Sequence, residues 1–216
     1  MRIRLPSLGL IYLTVAIGAF VAFIAYIRAP MWWDLKDGRT RDLAEARYLI
    51  NIAEAGKPGQ QTAWLSDAMT LASKHAEWNL AESILTYSLA NKIRLNATAL
   101  IEVVPGKCWI AGSAPQKQTI GKMPIAFFGH NNDAQPWTLQ TEWSSTRDGA
   151  MQTREPGQAW QSHAVKTATN TPVEWTVPAG NLRRWEVRTD AAMYTDKDKP
   201  NDPFQGIRLM GLKAKS

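Results

Sequence analysis

One cysteine, Cys108, stands in 216 residues, so no intramolecular disulfide can form. Only three histidines occur, His75, His130 and His163, and they lie far apart in the chain. The HExxH, CxxC and GxSxG patterns are missing, and so is a glycine-rich phosphate loop. Their absence removes the local signatures of zinc proteolysis, dithiol redox chemistry, serine hydrolysis and nucleotide binding. No catalytic role is expected, although catalytic groups dispersed along a chain would leave no local signature. A concentrated basic stripe is lacking as well. The formal charge is +6, from 25 basic and 19 acidic residues. Arg2, Arg4 and Arg28 are the only charges before Asp34, so 25 less 3 leaves 22 basic residues against the 19 acids. That near balance excludes a nucleic-acid surface.

The most informative absence is of charge between Leu8 and Ile27, which reads LGLIYLTVAIGAFVAFIAYI. At ~1.5 Å rise per residue this run spans ~30 Å, the thickness of a bilayer's hydrocarbon core. In lipid every backbone amide needs an internal partner, so the run is expected to be a transmembrane helix. Arg2 and Arg4 flank it on one side and Arg28 on the other, and Trp32 and Trp33 fall where an aromatic belt meets the interface. A cleaved signal peptide would have a shorter core and a small-residue cleavage site, whereas Tyr26, Ile27 and Arg28 occupy that place. Ala16, Gly18, Ala19, Ala22 and Ala25 could let another transmembrane helix approach closely. A short basic N-terminus stays cytoplasmic and long domains translocate largely regardless of charge. The expected place is therefore the inner (plasma) membrane, single-pass, with the C-terminal domain periplasmic or extracytoplasmic.

The rest divides by texture. Residues 1–30 form the anchor and 31–40 an interfacial connector. Residues 41–97 form a helical region, and 98–216 a β-sandwich. In the helical region Leu43, Ala46, Ile50 and Ala53 recur at helical spacing, with Thr40 or Asp42 as cap, and Gly56-Lys57-Pro58-Gly59 ends the run. A second helix is expected over about 61–75 and a third over about 79–94, with Lys92 and Arg94 in its last turn. Beyond Ala99 short runs alternate with turn residues. Trp137, Leu139, Thr141 and Trp143 share one face, as do Val173, Trp175 and Val177, and Trp185 and Val187. The fold class is thus one transmembrane helix followed by α+β, with an antiparallel, jelly-roll-like β-sandwich.

Two resemblances accompany this pattern. In residues 61–94, Leu71, Ala72, Trp78, Ala81, Leu85 and Leu89 resemble a tetratricopeptide-like helical hairpin. Trp185-Glu186-Val187-Arg188-Thr189, Asp202-Pro203 and Gly206-Ile207-Arg208-Leu209 resemble the end of a galactose-binding-like jelly roll. That resemblance implies a fold and names no ligand.

The loop from Asp190 to Asp202 carries Asp190, Asp196, Asp198, Asn201 and Asp202, hard oxygen ligands of the kind Ca²⁺ takes. Lys197 and Lys199 alternate with them and oppose a cation, so neither metal nor cofactor is expected. Ten tryptophans make sugar stacking a sharper idea. Trp137, Trp143, Trp175 and Trp185 alternate with aliphatic residues and belong to a core. Trp109 and Trp160 sit in weaker patterns and are the candidate ligand-stacking residues. The first functional reading is a non-catalytic accessory subunit bracing a larger membrane complex, photosynthetic or respiratory for example. Its partners would be the lipid bilayer and integral membrane proteins. The alternative is a membrane-tethered carbohydrate-binding module whose partner is a glycan.

Overall fold

The computed structural model describes residues 38–56, 58–112, 119–120, 124–145, 148–167, 169–180, 182–189 and 207–215. The expected membrane span, with Arg2, Arg4, Arg28, Trp32, Trp33 and the small-residue face Ala16, Gly18, Ala19, Ala22 and Ala25, lies outside the described residues. So does the acidic loop Asp190 to Asp202. Among the described residues no helix is long and apolar enough to cross a membrane. The chain divides into two compact units, Met1–Glu45 and Ala46–Ser216. Of the first, the described part is Gly38, with φ +68°, and the opening turns of a helix.

Among the described residues three helices come first: α1 (Arg39–Ala55), α2 (Pro58–Lys74) and α3 (Trp78–Ala90). Proline at the first position of α2 gives up an amide that would lack an intrahelical partner anyway. Gly56 permits the tight approach before it, since a Cβ there would lie 2.5 Å from the Trp64 ring. The third helix ends at Ala90, not at Arg94. Lys92 takes φ +57°, its amide donates to Leu89 O, and the Ile93 amide donates back to Ser88 O at 2.8 Å. This pair of reversed bonds is the Schellman cap, formed without the usual glycine. The same device ends α2: Ala76 takes φ +53°, and the Glu77 amide reaches Ala72 O at 2.9 Å.

Ten strands follow among the described residues: β1 (Leu100–Val104), β2 (Cys108–Ala111), β3 (Thr119–Ile120), β4 (Ile125–His130), β5 (Trp137–Ser145), β6 (Gly149–Arg154), β7 (Gln161–Val165), β8 (Thr171–Val177), β9 (Leu182–Thr189) and β10 (Ile207–Lys215). They form a six-stranded sheet of order β1-β2-β4-β9-β6-β7 and a four-stranded sheet of order β3-β10-β5-β8. All pairings within the two sheets are antiparallel. The α+β class and the β-sandwich are therefore as the sequence pattern predicts.

Two apolar clusters lie on opposite faces of the six-stranded sheet. Between the sheets are Ile110, Phe127, Trp137, Leu139, Trp143, Trp175, Trp185 and Val187. The Trp175 and Trp185 rings stack at 5.6 Å, and Phe127 meets Trp175 at 5.2 Å. Burying side chains of this size stabilises by roughly 1.5–3 kcal/mol each. On the outer face, Trp109, Ala111, Ala126 and Phe128 pack with Leu65, Met69, Ala72, Trp78, Ile84 and Leu85 of α2 and α3. The helices thus cover the outer side of β2 and β4. That is why all four residues of β2 are buried, rather than every second one.

Candidate functional site

Strand β9 carries the chemistry. Trp185 and Val187 point to the core between the sheets, which places Arg184, Glu186 and Arg188 on the outer face. A charged face in a strand normally meets water. Here Arg184 and Glu186 are each only 4% exposed. Isolated buried charges are costly, and these are matched. Arg154, paired in register with Glu186, donates from Nε at 2.9 Å and Nη2 at 2.6 Å to Glu186 Oε2. Arg184 Nη2 lies 3.5 Å from Glu186 Oε1 and donates to Asn79 Oδ1 at 2.8 Å. Arg184 Nη1 lies 2.8 Å from Glu82 Oε2, an ion pair whose angle falls outside hydrogen-bond geometry.

These residues edge a cleft of about 310 Å³ formed by Ala76, Glu77, Trp78, Asn79, Pro124, Arg154, Pro156, Gly157, Arg184 and Glu186. The left-handed Ala76 turns the chain so that Glu77, Trp78 and Asn79 reach the cleft from the helical layer. Glu77 stands at the N-cap of α3 and makes no side-chain cap. The first amides of a helix have no intrahelical acceptor. Two further donors lack partners among the described residues: Trp78 Nε1 and Arg184 Nε. Three other buried indoles do have acceptors. Trp137 donates to His130 O, Trp143 to Thr141 Oγ1 and Trp185 to Glu155 Oε1.

Beside the cleft lies Trp160, half-buried ahead of β7. Arg154 and Arg188 place their guanidinium carbons 4.3 and 4.0 Å from its ring centroid. Arg154 belongs to both features and joins the indole to the cleft. Gln152 accepts from Arg188 Nε at 2.8 Å, which fixes the second guanidinium.

Trp109, the other tryptophan singled out for stacking, is 7% exposed and packs beneath the helices. It borders a separate groove of about 920 Å³, which Leu85, Leu89, Ile93, Leu95 and Leu100 also line. Trp109 and Trp160 are thus not brought into one site. None of Arg154, Arg184, Glu186 and Trp78 was singled out as a site residue in the sequence; Glu186 and Trp78 entered only through the two resemblances, and Arg154 and Arg184 are charges on strands β6 and β9.

No family model matches the chain, and no curated protein matches it. Solved structures that are similar include a family 35 carbohydrate binding module from an environmental isolate, at 10% identity over 56% of this chain and 89% of that chain, with TM-score 0.30. Another is the family 35 module from Clostridium thermocellum, at 8% identity over 44% and 73% of the two chains, with TM-score 0.29. A ruminal GH26 endo-β-1,4-mannanase is similar at 10% identity over 54% of this chain, with TM-score 0.29, and the match spans one fifth, 20%, of the mannanase. At such low scores the function rests on this chain's own residues.

Proposed function

We propose that the protein is a non-catalytic glycan-binding module, tethered to a membrane by its Leu8–Ile27 run with the sandwich on the extracytoplasmic side. The observation that carries the reading is Trp160 set beside a polar cleft through their common Arg154. Sugars offer apolar ring faces to an aromatic side chain and oxygens to convergent polar groups; the half-buried Trp160, with Arg154 and Arg188 against its ring, would offer the surface they leave uncovered, and the cleft would offer the polar groups. The stacked antiparallel sheets support a galactose-binding-like jelly roll as the finer description of the fold.

Trp160→Ala tests the reading in affinity electrophoresis through gels cast with soluble cell-wall polysaccharides. The wild type is expected to be retarded in at least one gel and the variant to run freely, with an unchanged melting temperature. Equal mobility of both proteins in every gel would overturn the reading.

The second reading, an accessory subunit bracing a membrane complex, draws on the leucine-lined groove beside Trp109. It predicts a stoichiometric integral-membrane partner that co-purifies in mild detergent. A partnerless, monodisperse protein would count against it.

A further inference from the structure

Four charges around the cleft balance one another. Arg154 meets Glu186 at 2.6 Å, and Arg184 meets Glu82 at 2.8 Å and Glu186 at 3.5 Å. Arg188, on the same outer face of β9, stands apart. Among the described residues no carboxylate pairs with it. It is nonetheless half-buried and held in place. Its Nε donates to Gln152, its cross-strand neighbour in register, at 2.8 Å, and its guanidinium carbon stands 4.0 Å from the Trp160 ring centroid. These contacts leave Nη1 and Nη2 without an acceptor among the described residues. Both reach solvent, since the buried unpartnered side-chain atoms there are Trp78 Nε1, His130 Nδ1, Arg184 Nε and Arg184 Nη1. A guanidinium fixed in advance loses less freedom when it binds, and its paired N–H groups match the two oxygens of a carboxylate. The neighbouring cleft carries Glu77 and Glu186 in its wall. An acid group is therefore favoured at Arg188, and uncharged hydroxyls at the cleft.

We propose that the site takes an acidic sugar, a uronate whose carboxylate accepts from Nη1 and Nη2 of Arg188 beside Trp160; the inference rests on the glycan-binding reading above. Arg188 is then the recognition residue, and Gln152 is a positioning residue that acts through it. Because a charge is met on binding, the affinity falls as salt rises.

The full chain in a zwitterionic detergent without sugar headgroups is titrated calorimetrically with oligogalacturonate, with its methyl ester and with polyglutamate. The ester keeps the ring and hides the acid, whereas polyglutamate keeps the acid and has no ring. Oligogalacturonate is expected to saturate the site and to bind about tenfold tighter than the ester, the worth of one charge-assisted pair. That advantage is expected to shrink between roughly 50 and 500 mM salt, a range over which screening weakens a charged contact. Arg188→Gln is expected to bring the acid down to the affinity of the ester with the melting temperature nearly unchanged, since no carboxylate partner is lost. Arg188→Lys keeps the charge without the fork and is expected to recover only part of the affinity. A residue serving only the fold would lower the melting temperature and weaken acid and ester alike. Equal affinity for acid and ester would overturn the acidic assignment and keep the glycan reading. Wild-type affinity in Arg188→Gln would overturn the role of this arginine. Polyglutamate bound as tightly as oligogalacturonate would overturn the glycan reading and keep the carboxylate site. If neither oligosaccharide saturates, the acidic assignment is overturned, and the polysaccharide gels decide the glycan reading separately.

Discussion

Arg184 of β9 lies 2.8 Å from Glu82 of α3 while its other terminal nitrogen lies 3.5 Å from Glu186 of its own strand. One buried guanidinium thus ties the helical layer to the sheet, and its two carboxylates differ in surroundings. Glu82 has a third of its side chain in water and Glu186 has 5%. Removing one partner of a buried pair costs about 3–5 kcal/mol, whereas an exposed pair is worth about 0–1 kcal/mol. Glu186→Gln is expected to destabilise by about 3 kcal/mol, the low end of that range because Arg154 still reaches water. Glu82→Gln is expected to cost about 1 kcal/mol or less. Urea unfolding measures both, and equal losses would mean that Glu82 anchors Arg184 after all.

Gly129 in β4 is a steric requirement. A Cβ there would lie 2.8 Å from Val177 Cγ2 and 3.0 Å from the Trp185 ring, where the two sheets meet. Neither neighbour is a flexible side-chain end, so the sheets themselves must give. Gly129→Ala is expected to destabilise by about 1–3 kcal/mol, the usual cost of overpacking. A melting temperature equal to that of the wild type would show that the sheets spread freely.

Burial pushes the Cys108 thiol well above its usual range. The folded protein keeps the thiol protonated at alkaline pH, whereas the unfolded chain ionises it above about pH 8.5. The unfolded state then binds fewer protons, so stability falls as pH rises past that point. Cys108→Ala is expected to lose this alkaline slope, as followed by denaturant midpoints from neutral to strongly alkaline pH. In the native state the thiol is expected to react with a disulfide reagent only as fast as the protein opens, because the thiolate is the nucleophile. Rapid labelling without unfolding would contradict its burial between the sheets.

The sandwich was readable because β5, β8 and β9 turn a tryptophan-rich face inward at period two, as seen at Trp137, Trp143, Trp175 and Trp185. Strand β6 was not, since Gly149–Arg154 buries only Met151 and Thr153 and lies directly after a turn signal. The site was hidden for a related reason. Alternating charges at Arg184, Glu186 and Arg188 read as a solvent face, and only the packing of α3 across the sheet encloses the first two. Trp109 misled in the opposite sense. With buried neighbours on both sides it shows no alternation, because β2 is covered on both faces and not because its ring is free. The end of α3 was set by Lys92 in a left-handed conformation, which the lysine and arginine pattern favouring a longer helix does not register.

The six-stranded sheet is a party wall with a hydrophobic lining on each side. Stripping away the helices would not release a self-sufficient sandwich. It would leave Trp109, Ala126 and Phe128 on an open surface at the same side as a broken Arg184 contact. Such a surface invites self-association. A shortened protein meant to keep its shape has to retain α2 and α3, even if every sugar contact proves to lie on the strands.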